Sequence, residues 1–191
     1  MTDLVAPGAE ALRTERLILR RFRLADVPAY QEMMSQPSVE RTLIPGPSNL
    51  DEAGRQIAMI EGFWALRGFS FFAVEEKTTG LLVGRVGPWE PVGWPGFEIG
   101  WTIHPRRQGR GYAAEAAFAS ALWAFAHFPE QPSLIHVIAA SNTASQRVAA
   151  KIGAARNGET FTHPLVGPLE VWETKRDALV RRSPLAQASP V

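Results

Sequence analysis

The chain has 191 residues, 46% hydrophobic and 20% charged, with a formal net charge of +1. That length fits one domain with a real core, and the near-neutral balance excludes a global electrostatic pull toward nucleic acid. No cysteine is present, which excludes disulfides, thiolate metal sites and a cysteine nucleophile together and fits a reducing cytoplasm.

No apolar run approaches the roughly 18–20 residues of a membrane span, so no membrane partner is expected. His104, His127, His136 and His163 are scattered without metal-ligand spacing, and no metal is expected. Met1 to Ala11 carries Asp3 and Glu10 and does not read as a signal peptide.

Met1 to Arg13 reads as a tail, and Arg16 to Phe22 alternates as a first strand. Leu24 to Met34 reads as a helix, with Asp26 as its cap and Pro28 tolerated in the first turn. Ser35 to Ser48 holds Pro37, Pro45, Gly46 and Pro47 and reads as loop. A second helix follows, with Ser48 and Asp51 in a capping-box arrangement. Ala53, Ile57, Ile60 and Trp64 form its apolar stripe.

Phe69 to Glu75 and Leu81 to Val86 read as a hairpin across Lys-Thr-Thr-Gly. Gly87 to Gly96 is a loop carrying Trp89, Glu90 and Trp94. Phe97 to Ile103 is the next strand. Tyr112 to Phe128 is a long helix packing through Phe118, Ala121, Leu122 and Phe125. Leu134 to Ala139 is a short buried strand. Asn142 to Ile152 is a helix with Ala144, Val148 and Ile152 inward, ended by Gly153. Glu159 to Thr162 and Leu169 to Thr174 close the pattern as strands, and Arg181 to Val191 reads as a disordered tail. This order predicts one α/β domain over residues 14–176, with a mixed sheet of about seven strands and helices on both faces.

Between a strand and a helix start lies Arg106-Arg107-Gln108-Gly109-Arg110-Gly111-Tyr112-Ala113. The first N–H groups of a helix lack internal partners, and the macrodipole is positive there. Glycines permit close approach, so the chemistry fits a pyrophosphate. A Walker loop would need Gly-Lys-Ser/Thr, which is absent. Gly109, Gly111 and Ala114 match a dinucleotide fingerprint, but the next strand ends in Ala140-Ser141-Asn142, without the acid that would hold a ribose.

A third reading covers more of the chain. Arg106-x-x-Gly109-x-Gly111 after a strand resembles the acetyl-CoA pyrophosphate loop of the GNAT acetyltransferases. Thr14-Glu15-Arg16-Leu17-Ile18-Leu19-Arg20 with Leu24-Ala25-Asp26 resembles the opening of the Rim-type branch, which includes ribosomal-protein N-terminal acetyltransferases. Ser141-Asn142-Thr143-Ala144-Ser145 and Lys151-Ile152-Gly153 resemble its later motif. The resemblance runs from Thr14 to Thr174. It implies a GNAT fold, acetyl-CoA as cosubstrate and a primary amine as acceptor: a protein N-terminus, a polyamine, an antibiotic or a small metabolite. Homodimers are frequent among such proteins. One departure stands out. Many members carry a tyrosine seven residues after the motif asparagine as general acid, and here that residue is Ala149.

The resemblance implies that the backbone from Gln108 to Ala113 cradles the pyrophosphate, with Arg106 and Arg110 as phosphate partners or else solvated charges. It implies that Trp101, Thr102 and Ile103 splay from the neighbouring strand and hold the pantetheine arm, a backbone N–H facing the thioester oxygen. Without cysteine, transfer is direct rather than through an acyl-enzyme thiol. Glu98, an acid in an apolar strand, is the candidate base, since burial raises a carboxylate pKa; the alternative is an acid facing solvent or an arginine. Ser145 is the candidate acid, and Asn142 binds pantetheine, caps its helix, or does both. Trp89, Glu90 and Trp94 could receive a cationic amine, with Arg41 to Pro47 as the opposite wall; the alternative is tryptophan folded onto the core. A non-catalytic CoA-binding module and an NAD(P)-dependent oxidoreductase are the competing functional readings.

Overall fold

The computed structural model describes residues 11–40 and 46–182. Among them eight strands form one sheet: β1 (Ala11–Arg13), β2 (Leu17–Arg20), β3 (Phe72–Glu76), β4 (Leu82–Trp89), β5 (Glu98–Ile103), β6 (Ser133–Ile138), β7 (Ala155–His163) and β8 (Gly167–Lys175). Their order is β1-β2-β3-β4-β5-β6-β8-β7. Neighbours are antiparallel except β5 and β6. Those two are joined by a crossover through the helix α4 (Tyr112–His127), as a parallel pair requires.

Helices cover both faces. The α4 helix lies on one, where Ala116, Ala117, Ala121 and Ala124 are small enough to bring it close to Leu17, Leu19, Val74 and Val83. Against the other face pack α1 (Val27–Met34) and α3 (Leu50–Arg67), through Tyr30, Met33, Ala53, Ile57 and Ile60 onto Phe71 and Ala73. Three short helices complete the fold: α2 (Pro37–Glu40), α5 (Thr143–Lys151) and α6 (Arg176–Val180). Arg176 fixes the far end of α4, its guanidinium donating to the carbonyls of Phe125, Phe128, Pro129 and Gln131.

Several local expectations shift. The eighth strand is β1, inside the predicted tail; Leu12 is buried there, but three residues carry too little alternation to read. Asp26 does not cap α1 with its side chain. It forms a buried pair with both Nη atoms of Arg20 at 2.7 and 2.9 Å and accepts from Arg23 N–H. The α3 box sits one residue later than expected: Asn49 accepts from Glu52 N–H, and the Glu52 carboxylate reaches back to Ser48. In α5 the buried residue is Ala149, whereas Ala144 is exposed. Arg41 and the predicted tail from residue 183 onward lie outside the described residues.

Candidate active site

β5 and β6 begin as an ordinary parallel pair, with Glu98 opposite Ile135 and Ile135 N–H donating to Phe97 C=O at 3.0 Å. Continued past this bridge, a regular ladder would join Val137 N–H to Ile99 C=O. Side chains take both groups instead. Glu98 Oε1 accepts from Val137 N–H at 3.2 Å, and His136 Nδ1 lies 2.8 Å from Ile99 C=O. A carbonyl only accepts, so Nδ1 carries the proton, and Nε2 accepts from Thr174 Oγ1 at 2.9 Å. Side chains thus take up the Val137 N–H and the Ile99 carbonyl where the strands part. Residues two apart on a strand present these groups to the same edge, so Trp101 N–H and C=O face the gap. Ile103 C=O on that edge is taken by the Gln108 side chain at 2.9 Å.

A cavity of about 910 Å³ follows the gap through the sheet. One end lies at the loop of Gln108, Gly109 and Gly111 and the first residues of α4. The middle is lined by Trp101, Asn142 and Ser145. The other end is a chamber walled by Gln56, Met59, Phe71, Arg85, Trp89 and Trp94, with His163 and Leu169 from the β7–β8 hairpin.

The loop owes its shape to Gly109 and Gly111, both left-handed with φ of 76° and 83°. No side chain caps α4, so the N–H groups of its first turn are open to a ligand. Two acids buttress the loop. Glu115 receives Thr14 Oγ1 at 2.6 Å and Arg16 Nε at 2.7 Å, while Arg16 Nη1 donates to Arg110 C=O at 2.8 Å. The Thr14–Arg16 motif thus holds the loop from across the sheet. Glu76 accepts from Tyr112 OH at 2.6 Å, with Arg107 and Arg110 at 3.5 and 3.7 Å. The Tyr112 bond, above all, holds the Glu76 carboxyl below its usual range.

Glu98 is buried, and desolvation pushes its pKa up to about 7, against the opposing bonds from Val137 N–H and Trp94 Nε1 and the positive charge of Arg85. The Trp94 bond is 2.7 Å, so that indole serves the carboxylate. Trp94 also meets Phe161 and His163, and Trp89 stacks on Phe71. Asn142 Oδ1 caps α5 by accepting from Ser145 N–H at 3.1 Å. Ser145 Oγ accepts from Trp101 Nε1 at 3.3 Å and keeps its own proton to donate. Burial lowers the pKa of His136 to about 4, with the Ile99 carbonyl opposing.

The structure brings Glu98, Trp101, Thr102, Ile103, Gln108, Gly109, Gly111, Tyr112, Ala113, Asn142, Ser145, Trp89 and Trp94 to one cavity. It places three residues elsewhere. Glu90 pairs with Arg67 at 2.8 Å on a separate shallow hollow. Arg106 and Arg110 are exposed beside the loop and do not line the cavity, whereas Arg107 does. Sequence reasoning missed Arg85, His136, Arg147 and Lys151. His136, in a short buried strand, was the one with a readable signal, because a buried histidine needs two partners.

Over residues 16–155 the sequence matches the Acetyltransferase (GNAT) domain family, and the chain belongs to it. It is 30% identical over 150 residues to the uncharacterized N-acetyltransferase YnaD of Bacillus subtilis (strain 168), covering 77% of this chain and 84% of that protein. An acetyltransferase from Agrobacterium tumefaciens str. C58 is similar in structure: TM-score 0.75, 30% identity, 90% of this chain and 98% of the other. The aminoglycoside acetyltransferase AAC(6′)-Ib, solved with coenzyme A, shares the fold at TM-score 0.71 and 20% identity, over 87% of this chain and 98% of its own. The protein is thus a GNAT-family N-acetyltransferase with a mixed α/β fold, and the dinucleotide reading falls away. No helix among the described residues is long and apolar enough to cross a membrane, and no group of three or more His, Cys, Asp or Glu there could hold a metal.

Proposed function

We propose that this protein moves the acetyl group of acetyl-CoA directly to a primary amine in the cavity, with Glu98 as base. One observation carries this reading: a buried carboxylate with pKa about 7 stands where β5 leaves β6, beside the main-chain groups of Trp101. A pyrophosphate fits the open N–H groups between Gly109 and Ala114, where left-handed glycines leave the backbone approachable. The pantetheine arm then lies along the freed edge of β5, and Trp101 N–H donates to the thioester oxygen.

The balance of the step is simple. An ammonium acceptor gives one proton to Glu98, and its nitrogen lone pair attacks the acetyl carbon. The carbon–sulfur bond breaks, and the thiolate takes a proton from Ser145, which regains one from the amine nitrogen. Glu98 returns its proton to water. Ser145 takes this role because Ala149 offers no phenol and is packed against Ile138 and Ala154.

We assign the protein to the Rim-type branch on its opening and later motifs, and to the cytoplasm on its lack of cysteine. Trp89 and Trp94 are the aromatic wall beside the amine. Thiol release from acetyl-CoA across a panel of amines and N-terminal peptides tests the activity without background, since the chain has no thiol. Glu98→Gln must lower kcat on whichever amine is found; equal turnover of the two proteins at every pH would remove Glu98 as base.

A further inference from the structure

Among the described residues, the buried or cavity-lining arginines of the sheet and the loop after β5 differ in their partners. Arg20 pairs with Asp26 and Glu75, Arg67 with Glu90, and Arg107 lies 3.5 Å from Glu76. Arg85, on β4, lines the cavity and has no carboxylate oxygen within 4.0 Å among the described residues, although its charge acts on Glu98 from further off. Its Nη1 donates to Tyr30 OH at 2.9 Å, its guanidinium sits 4.7 Å over the Phe71 ring, and Nε is buried without an acceptor. Guanidinium stays charged at any working pH, and leaving its donors unfilled in a buried setting is costly.

The sheet register places this cation relative to the base. Arg85 stands opposite Thr102, and Trp89 opposite Glu98, so Arg85 and Glu98 project from the same face. Their backbone positions are four residues apart, about 13 Å at strand rise, and the Arg85 charge is near enough to act on the Glu98 carboxyl. Glycines lie between them, Gly87 opposite Gly100. A Cβ on Gly100 would meet the Phe71 ring at 3.0 Å and Glu98 Oε1 at 3.8 Å. The Phe71 ring therefore forms a flat apolar floor, with the base at one end and an unpaired cation at the other.

Charge along the rest of the cavity points the same way. Among the described residues its charged lining is Arg85, Arg107, Arg147, Lys151 and one acid, Glu98. In the chamber a polycationic amine would meet the Arg85 cation and, among the described residues, one carboxylate. From this we infer that the acceptor is an amino acid: its amine meets Glu98, a chain of several atoms crosses Phe71, and a carboxylate pairs with Arg85. Charge-assisted bonds from guanidinium to carboxylate are among the stronger ones available. This inference rests on the acetyl-transfer reading above and names its substrate class.

The test uses three amines of equal length: aminocaproate, its carboxamide, and hexamethylenediamine. Thiol release by the wild type is expected to favour the carboxylate over the carboxamide by about tenfold or more in kcat/KM, mainly through KM, with the diamine poorest. Arg85→Met should collapse the carboxylate-to-carboxamide ratio toward one, and Arg85→Lys should retain part of it. Equal kcat/KM for acid and amide in the wild type, or a ratio that survives Arg85→Met, overturns the inference while acetyl transfer stands. If no amine releases thiol, the transfer reading fails, and calorimetry on the CoA-saturated protein decides the site. Aminocaproate binding that the carboxamide does not share and that Arg85→Met abolishes supports it, and absence of aminocaproate binding refutes it.

Discussion

Replacing His136 with asparagine isolates one titration from the rest of the protein. The imidazole is fully enclosed, with Nδ1–H on Ile99 C=O and Nε2 on Thr174 Oγ1, and burial lowers its pKa from 6.5 to about 4. The unfolded chain therefore takes up this proton before the folded one does as pH falls. The stability that neutral His136 contributes is complete above about pH 6.5 and is lost as pH falls through 6.5 toward 4. Between pH 7 and pH 5 the loss is about 2 kcal/mol for these two values. Asparagine can keep a donor toward Ile99, because its Nδ2 occupies much the same place as Nδ1, yet it does not titrate. The variant should be less stable at pH 7 by about 1 kcal/mol, having lost the Thr174 bond. That gap should close and reverse by pH 5. Urea denaturation at pH 7, 6 and 5, followed by tryptophan fluorescence, gives the two curves. Curves that stay parallel across this range would refute the reasoning, since His136 would then not be the buried neutral group described.

Three further outcomes follow from the geometry. Glu98→Gln should reduce kcat by about a hundredfold or more. In the wild type, kcat/KM should fall as pH drops below about 7, where Glu98 becomes protonated, and the variant should lack that limb. Gly87→Ala should lower stability by about 1–3 kcal/mol in thermal melts, because the new Cβ would lie 2.6 Å from Ser70 C=O and 2.8 Å from Phe71 Cα, both main chain that cannot yield. Asp26→Ala should cost about 3 kcal/mol by chemical denaturation, since it leaves Arg20 buried with Glu75 as its only acid.

What the sequence disclosed depended on how local the cause was. The glycine turn after β5 was readable because φ near +80°, found at Gly109 and Gly111, is a conformation that glycine favours. The α3 stripe was readable because Ala53, Ile57 and Ile60 repeat at the helical period. Glu98 drew notice as an acid in an apolar run. Features set by register across the sheet were not readable. Arg85 looks like any strand arginine until β4 pairs with β5 and turns it into the cavity. Glu90 looked like a companion of Trp89 and Trp94 until Arg67 on α3 came within reach of it. Choosing Arg106 over Arg107 failed for a similar reason: the 3₁₀ turn over Pro105–Arg107 decides which of two adjacent arginines faces inward. Ala144 and Ala149 differ only by the phase of a nine-residue helix, too short to fix from its period.

The two side chains that open the sheet also constrain each other's chemistry. Glu98 accepts from Val137 N–H with one oxygen and from Trp94 Nε1 with the other, so both oxygens already serve donors when the group is ionised. A proton arriving on Glu98 must take a remaining lone pair, and the cavity that Glu98 lines is where an amine would deliver it. His136 performs the matching task on the Ile99 carbonyl without a charge. An arginine or lysine donating to the same carbonyl would place a cation beside the carboxylate and pull its pKa down, away from the range a base near neutral pH needs. A neutral imidazole keeps the strands apart and leaves desolvation as the dominant influence on Glu98. His136→Asn should therefore leave the acid limb of the rate profile near pH 7, whereas His136→Lys should move it to lower pH. A limb that stays in place with lysine would mean that charge at this bond does not reach Glu98.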